Sequence, residues 1–129
     1  MVKLLLIFVG GGLGSLCRYG LAGWGQQLVN GSFPLGTLIV NVAGCFIIGF
    51  LNYLFSGGGY LIRPEYRIAL TIGVLGGFTT FSTFGWETFA MANEGQGLRA
   101  VMNLLLSVTL GFSAVLIGYR LAEKWLGAG

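Results

Sequence analysis

Four long apolar stretches occupy most of this 129-residue chain and limit what it can fold into. A helix needs about 20 residues, at about 1.5 Å rise each, to cross about 30 Å of hydrocarbon. None of the stretches shows the alternating pattern of a membrane β-barrel strand. The stretches are residues 4–24, 35–55, 68–92 and 100–119, and the last helix is expected to continue to about residue 126.

The composition also indicates a membrane protein. Hydrophobic residues make up 55% of the chain and charged residues only 9%, whereas a soluble domain carries about 25% charged residues. The chain lacks the groups needed to cover a water-exposed surface. The sequence therefore predicts an all-α membrane protein in which residues 1–129 form a single domain of four transmembrane helices.

The polar residues exclude most classes of enzyme. There is no histidine, which removes Ser-His-Asp and Cys-His nucleophilic sites and histidine metal sites. The four carboxylates are scattered and only Glu87 lies inside an apolar stretch, which disfavours a paired-carboxylate hydrolase. The chain contains no Gly-x-x-x-x-Gly-Lys-Ser/Thr motif for ATP. The seven cations are dispersed, which argues against a nucleic-acid partner. We therefore expect no enzymatic activity.

The cations also predict an orientation in the membrane. Four crossings place both termini on one side, and that side carries Lys3, Arg63, Arg67, Arg120 and Lys124. The other side has Arg99 and, depending on its depth, Arg18. By the positive-inside rule, this bias predicts a cytoplasmic N terminus.

Glycine is unusually frequent: 24 of the 129 residues, or about 19%, are glycine, whereas an average protein has about 7%. Small residues let helices approach one another closely in lipid, where burial of apolar surface contributes little. The pairs Gly10-x-x-x-Gly14 and Gly73-x-x-x-Gly77 have the spacing for such contacts. Most of the glycines are thus expected to be packing positions.

One stretch in the third apolar run needs another explanation. Residues 76–84 read Gly-Gly-Phe-Thr-Thr-Phe-Ser-Thr-Phe. Four hydroxyl side chains within five positions point around all faces of a helix, which favours a broken helix whose freed backbone groups need partners. Irregular backbone persists at membrane depth only when it is buried in protein or lines a wet cavity. We therefore predict a break near Gly76 to Thr80, as in the helices of ion-binding transporters.

Two other polar tracks accompany this stretch. In the second run, Thr37 and Asn41 are four residues apart and share one face of the helix. In the fourth run, polar or small residues recur at every fourth position: Arg99, Asn103, Ser107 and Gly111. Each track is either a set of interhelical hydrogen bonds, worth about 0.6–2 kcal/mol apiece, or part of an ion pathway.

The chemistry of these groups favours a small anion over a cation. Cation pathways usually use carboxylates or rings of carbonyls, whereas hydroxyls, an amide NH₂ and freed backbone amides are hydrogen-bond donors. Phe81 and Phe84 are three residues apart, so both can face one cavity, and the edge of an aromatic ring is electropositive. The residues thus predict a weakly electropositive pathway for a small ion that accepts hydrogen bonds, without identifying the ion.

The motif at residues 76–84 resembles the signature of the Fluc/CrcB fluoride channel family. The size of the chain and the number of spans also agree with that family. Further matches run along almost the whole chain: Gly14-x-x-x-Arg18, Gly36-Thr37-Leu38, Asn41, and Glu87 after the Phe motif.

This resemblance implies a fluoride-selective channel that passively exports F⁻ across the bacterial inner (plasma) membrane and relieves fluoride toxicity. Members of the family form antiparallel, dual-topology homodimers with two pores. Arg18 would be a conduction or vestibule residue, or a snorkelling interfacial arginine. The backbone carbonyls of Gly76 and Thr79 would hold a structural Na⁺ at the dimer interface. The residues that would line the pores are Phe81, Phe84, Asn41, Thr83 and Ser107.

The chain departs from the family pattern in two respects. The unequal charge of its two sides fits poorly with dual topology, although weak biases can be overridden. Asn103 stands where at least one member of the family has a larger polar side chain.

Two other classes of protein stay open at this point. A four-helix multidrug transporter would be expected to have a carboxylate in its first span, and none precedes Glu65. A non-transporting assembly subunit would explain the glycine spacing, but it would leave the buried amide of Asn41 and the clustered hydroxyls without a purpose.

Overall fold

The computed structural model describes residues 1–56 and 62–127, and every regular element among them is helical. Four helical segments, namely Val2–Gln27, Leu35–Ser56, Pro64–Asn93 and Gly97–Leu126, are long and apolar enough to cross a membrane. The prediction of an all-α chain with four spans is therefore confirmed. The elements are α1 (Val2–Gln27), α2 (Leu35–Ser56), α3 (Pro64–Ile68), the π-helix π1 (Ala69–Leu75), α4 (Gly76–Phe78), α5 (Phe81–Asn93) and α6 (Gly97–Leu126).

Each predicted span lies inside a helical segment that extends beyond it by one to four residues at one end or both. Residues 4–24 lie inside α1, for example, which continues through Gln26 and Gln27. Hydropathy marks where apolar side chains stop, whereas backbone hydrogen bonding continues through polar residues until a cap or a proline intervenes. Helix α3 begins at Pro64, because a proline in the first turn of a helix loses no helical hydrogen bond.

The first and third crossings run in the same direction and pack through glycine. A Cβ added at Gly14 would lie 2.9 Å from the backbone nitrogen of Phe78 and 3.0 Å from the carbonyl carbon of Val74. A Cβ at Gly77 would collide with the backbone of Gly11. The two glycine pairs predicted as packing positions thus lie on the same helix contact, between α1 and the π1–α4 segment.

The second and fourth crossings form the other same-direction pair. A Cβ at Gly49 would collide with the backbone of Val115, and a Cβ at Gly118 would collide with that of Phe46. Helix α2 also contacts α1, where Gly36 lies against the backbone of Ala22. Helix α2 thus contacts both pairs, and α5 of the third crossing also packs directly against α6.

The third crossing is not a regular helix. After the π-helix and the single turn of α4, Thr79 (φ −88°, ψ 160°) and Thr80 (φ −150°, ψ 112°) are extended, and α5 begins at Phe81. Gly76 and Gly77 are helical, because they belong to the last turn before these two residues. Gly77 therefore serves the close contact with α1, and neither glycine forms the extended link. No sequence pattern pointed to π1.

Candidate functional site at the extended link

The extended residues Thr79 and Thr80, called here the link, are held by a side chain of α2. The amide oxygen Oδ1 of Asn41 accepts a hydrogen bond from the backbone nitrogen of Thr80 at 2.8 Å. The amide nitrogen Nδ2 of Asn41 donates to the backbone oxygen of Thr80 at 3.0 Å. The amide therefore pairs with both backbone groups of one residue, much as a neighbouring strand would. The interhelical hydrogen bonding foreseen for Asn41 is present, and its partner is main chain.

The helix ends on either side of the link are capped by different groups. At the end of α4, the backbone nitrogen and the hydroxyl of Thr79 both donate to the carbonyl of Leu75, at 3.0 and 2.9 Å. At the start of α5, the hydroxyl of Thr80 accepts from the backbone nitrogen of Thr83 at 3.2 Å, which is ordinary N-cap geometry. The C-terminal end of α4, which is partly negative, and the N-terminal end of α5, which is partly positive, are thus separated only by Thr79 and Thr80.

Helix α1 supplies donors to the carbonyls near the link. Ser15 Oγ lies 3.5 Å from the carbonyl oxygen of Gly77. Arg18 Nη1 lies 3.4 Å from the carbonyl oxygen of Thr79. Ser15 and Arg18 are three residues apart and so share one face of α1. A cation and a hydroxyl therefore compensate the negative end of a helix that stops inside the protein.

A cavity of about 540 Å³ lies on one side of the link. Four of the residues predicted to line a pore are in its wall: Asn41, Phe81, Phe84 and Ser107. The ring centroids of Phe81 and Phe84 are 5.7 Å apart with an interplanar angle of 53°, so the two rings do face the same space. Phe81 is 84% exposed in the single chain. The cavity is thus open at the surface of the chain.

A second cavity, of about 810 Å³, lies on the other side of the link. Arg18 and Thr83 line this cavity, together with Thr37 and Glu87. The hydroxyl of Thr37 donates to Glu87 Oε1 at 2.8 Å. Thr80 lines both cavities and separates them. The predicted pore residues are therefore divided between two spaces that share Thr80 of the link as a wall.

The polar stripe on α6 has mixed roles. Asn103 is 1% exposed, and its Nδ2 donates to the hydroxyl of Thr88 at 2.9 Å. The hydroxyl of Thr88 in turn donates to the carbonyl of Phe84 at 2.7 Å. Arg99 bonds to Ser32 in the loop before α2, at 2.8 Å. Within the stripe, Ser107 and Gly111 line the first cavity. Asn103 instead bonds α6 to α5 at Thr88, one turn after Phe84.

Sequence reasoning included Thr80 in the predicted break without giving it a capping role, and it gave no role to Ser15 or Thr88. Thr80 could have been found from N-cap preferences, because a threonine directly before a helix is a common cap. Ser15 has the correct spacing from Arg18, but nothing in the sequence tells which helix that face contacts. Thr88 lies one turn beyond Phe84 and looks like any helix-interior threonine that bonds back to its own helix.

A metal ion at this site would be held by carbonyls. Among the residues that the structure describes, no group of three or more His, Cys, Asp or Glu side chains is placed to hold a metal. In a regular helix the Thr80 amide would donate to the carbonyl of Gly76, but here it donates to Asn41. Gly76 and Thr79 both line the first cavity, and carbonyl oxygens are hard ligands that suit a hard cation, although the carbonyl of Thr79 also accepts from Arg18 Nη1 at 3.4 Å. The donor set therefore fits an alkali cation better than a transition metal.

Comparison with known proteins places the chain in a family. The family model described as CrcB-like protein, Camphor Resistance (CrcB), matches residues 5–119. A protein of Solibacter usitatus is 47% identical over 123 residues, which cover 95% of this chain and 100% of the relative. A protein of Geotalea daltonii is 50% identical over 105 residues, or 80% of this chain and 84% of the relative.

A third relative, from Methanosarcina acetivorans, is 44% identical over 119 residues, covering 92% of this chain and 88% of the relative. The first two relatives are named fluoride-specific ion channel FluC and the third fluoride-specific ion channel FluC 1. With four helices apolar enough to cross a membrane, the chain is a multi-pass membrane protein. The agreement extends over nearly the whole chain, and the protein belongs to the CrcB family.

Proposed function

We propose that this protein is a fluoride-selective channel that lets F⁻ leave the cell passively through the inner membrane. The observation that carries the proposal is the link, which interrupts a membrane-crossing helix between two cavities that are lined by Phe, Asn, Ser and Thr side chains. The names of the relatives support fluoride as the ion.

The electrostatics of the link favour an anion. The N terminus of α5 carries a partial positive charge, and it opens directly at Phe81 beside the first cavity. Arg18 adds a full positive charge in the second cavity. The edges of Phe81 and Phe84 offer weak positive charge without a strong hydrogen bond. An anion is thus stabilised at several points and held tightly at none, which conduction requires.

The working unit in this proposal is an antiparallel homodimer with two pores. Phe81 is 84% exposed and the first cavity is open on the surface of the single chain, so a second copy would complete the wall. The carbonyls of Gly76 and Thr79 from the two copies would then hold a structural Na⁺ at the interface. Such a cation would neutralise the partly negative ends of the two α4 helices.

No energy source other than the membrane potential is needed. Fluoride enters from acidic surroundings as neutral HF, ionises inside and is trapped, because the bilayer excludes the anion. A negative-inside potential supplies about 2.3 kcal/mol per charge per 100 mV, which drives the anion out. A channel that conducts F⁻ in either direction therefore works as an exporter in a living cell.

A flux assay tests this function. Purified protein is reconstituted into liposomes loaded with fluoride, chloride or a cationic dye, and efflux is followed with ion-selective electrodes and dye fluorescence. We expect fast fluoride efflux with little chloride efflux. Proton-coupled dye movement would instead identify a multidrug transporter, and the absence of all flux would identify an assembly subunit.

Two substitutions test the assignment of pore residues. Phe81→Ile removes a ring edge from the first cavity, and Asn41→Asp removes the amide donor and adds a negative charge. We expect both to slow fluoride efflux sharply while the dimer stays intact on size-exclusion chromatography. Phe89→Ile is the matched control, because Phe89 is 59% exposed and lies outside both cavities. Wild-type flux in Phe81→Ile would remove that residue from the pore.

The orientation of the subunits has its own test. The charge bias predicts a single orientation, whereas the proposed dimer needs both. Two reporters are fused in turn to the C terminus, one active only in the periplasm and the other active only in the cytoplasm. Both fusions should be active. Activity in one compartment only would contradict the antiparallel dimer without affecting the flux result.

A further inference from the structure

We infer that Asn41 is a positioning residue for the cation site, because it keeps the carbonyl of Gly76 free by holding the amide of Thr80 away from it. This inference rests on the proposed structural Na⁺. It assigns to Asn41 a role separate from contact with the conducted anion.

The first step concerns the hydrogen of the Thr80 amide. A helix that continued past Phe78 would direct this N–H to the carbonyl of Gly76, four residues earlier. A backbone N–H has one hydrogen, and here it is donated to Asn41 Oδ1 at 2.8 Å. Among the turn, loop, cap and side-chain hydrogen bonds of the described residues, none goes to the oxygen of Gly76. The side chain of α2 thus removes the one helical donor that would compete with a cation for this oxygen.

The second step concerns the other groups near the end of α4. Both donors of Thr79 go to the carbonyl of Leu75. The hydroxyl of Ser15 on α1 donates to the carbonyl of Gly77. These neighbouring donors are therefore engaged elsewhere, and Gly76 itself is exposed at the first cavity. The carbonyl of Gly76 is available because the groups around it are already paired.

The third step separates the two halves of the Asn41 amide. Oδ1 accepts from the Thr80 amide, which frees Gly76. Nδ2 donates to the Thr80 carbonyl at 3.0 Å and has a second hydrogen that can point into the cavity. The acceptor half therefore serves the cation site, and the donor half serves the link and the pore. A substitution that removes one half and keeps the other should separate the two effects.

Two variants of Asn41 make this separation. Asn41→Leu keeps the branched skeleton of four side-chain heavy atoms but has neither polar group, so the Thr80 amide is free to return to Gly76. Asn41→Asp keeps an acceptor for the Thr80 amide and loses the donor. Asn52 provides matched controls on the same helix, because it is exposed and its Nδ2 bonds to the carbonyl of Ile48, one turn back.

The measurement is the Na⁺ dependence of thermal unfolding of the full-length dimer in detergent. Sodium chloride replaces N-methyl-D-glucamine chloride at constant ionic strength, and the Na⁺ concentration giving half of the rise in Tm is recorded. We expect Asn41→Leu to raise this concentration about tenfold or more, which corresponds to about 1.4 kcal/mol. We expect Asn41→Asp, Asn52→Leu and Asn52→Asp to keep it at or below the wild-type value.

Fluoride efflux is measured on the same variants. Asn41→Asp should then show slow fluoride efflux together with a normal dependence of Tm on Na⁺. If Asn41 acted only on the cation site, or only on stability, this combination would not occur. Unchanged Na⁺ dependence in Asn41→Leu would overturn the inference. If Asn41→Leu does not fold, loss of Na⁺ dependence in Asn41→Asp overturns it equally well.

The failures of the inference and of the proposed function can be told apart. A wild-type protein whose Tm does not respond to Na⁺ would refute the structural cation and the inference with it. Fluoride efflux from the same preparation would still stand as the test of the channel. Na⁺-dependent stability together with an absence of fluoride flux would leave the role of Asn41 intact and refute the channel.

Discussion

The contact between α1 and the third crossing offers a quantitative test of how the link is held. Gly14 of α1 lies against the main chain of Val74 and Phe78, and a Cβ there would be 2.9 Å from the nitrogen of Phe78. Backbone atoms cannot rotate aside as a side chain can. The methyl group of Gly14→Ala must therefore push α1 away from the π1–α4 segment. Gly20 of the same helix provides the control, because a Cβ added there would meet nothing within 4 Å.

The expected magnitude comes from the difference between the two variants. Replacing glycine by alanine inside a helix gains up to about 1 kcal/mol from backbone entropy, and both variants share this gain. Inserting a methyl group into a closely packed contact costs about 1–3 kcal/mol, and this cost applies to Gly14→Ala alone. We therefore expect Gly14→Ala to be less stable than Gly20→Ala by about 1–3 kcal/mol.

The assay is reversible unfolding by SDS in mixed micelles, followed by tryptophan fluorescence. Fluoride efflux is measured in parallel, since α1 also carries Ser15 and Arg18, which bond to carbonyls near the link. Gly14→Ala should lose both stability and flux, whereas Gly20→Ala should keep both. Equal stability of the two variants would refute the claim that direct main-chain contact holds the third crossing against α1.

Two further predictions concern the hydrogen bonds around the cavities. Thr88→Val leaves the buried amide of Asn103 without its acceptor, so it should destabilise the protein by about 1–3 kcal/mol in the same SDS titration. The control is Thr109→Val, at an exposed position of α6, which should change stability little. Thr37→Val removes the hydroxyl that donates to Glu87 at 2.8 Å and should cost about 1–3 kcal/mol, whereas Thr37→Ser keeps the hydroxyl and should stay near the wild type. Stability of Thr37→Val equal to that of Thr37→Ser would show that this hydrogen bond contributes nothing.

The membrane spans could be predicted from the sequence because the signal is a property of long windows. A run of about 20 apolar residues leaves few alternatives to a helix in lipid. The predicted glycine contacts follow from the same local logic, since Gly10 and Gly14 lie on one face of α1. Their partner could not be chosen from spacing alone, because glycine pairs occur in several helices. Only the fold brings Gly14 to Val74 and Gly77 to Gly11.

The detail of the link could be predicted only in part. A cluster of hydroxyls after two glycines indicated irregular backbone near residues 76–80, and the extended residues are Thr79 and Thr80. The predicted break included the two glycines, whereas both are helical and Gly77 is required by the approach of α1. A sequence pattern shows that a glycine is needed without showing whether the reason is conformation or proximity. Contact with another helix decides that question.

The division of the polar residues between two cavities has the same origin. Asn41 and Thr37 share a face of α2, yet Asn41 bonds to the link while Thr37 bonds to Glu87. Helical periodicity correctly placed Thr37 and Asn41 on one face of α2. The partner of each residue depends on which of them lies level with the link in the third crossing. The assignment of roles to individual residues therefore needs the exact position of the link, which could be predicted only to within a few residues.

The link could not exist without the neighbouring helices. Ending α4 after one turn leaves carbonyls exposed, and beginning α5 afresh leaves amides exposed, each costly in a membrane unless paired. Asn41 from α2 and Arg18 from α1 supply partners for the main chain of Thr80 and Thr79, and they do so without closing the cavities. In the proposed channel, carbonyl acceptors for a cation at the end of α4 and amide donors for an anion at the start of α5 would lie within a few residues of each other. The proposed ion pathway would need no charged residue in the link itself, which is consistent with a chain that has only 9% charged residues.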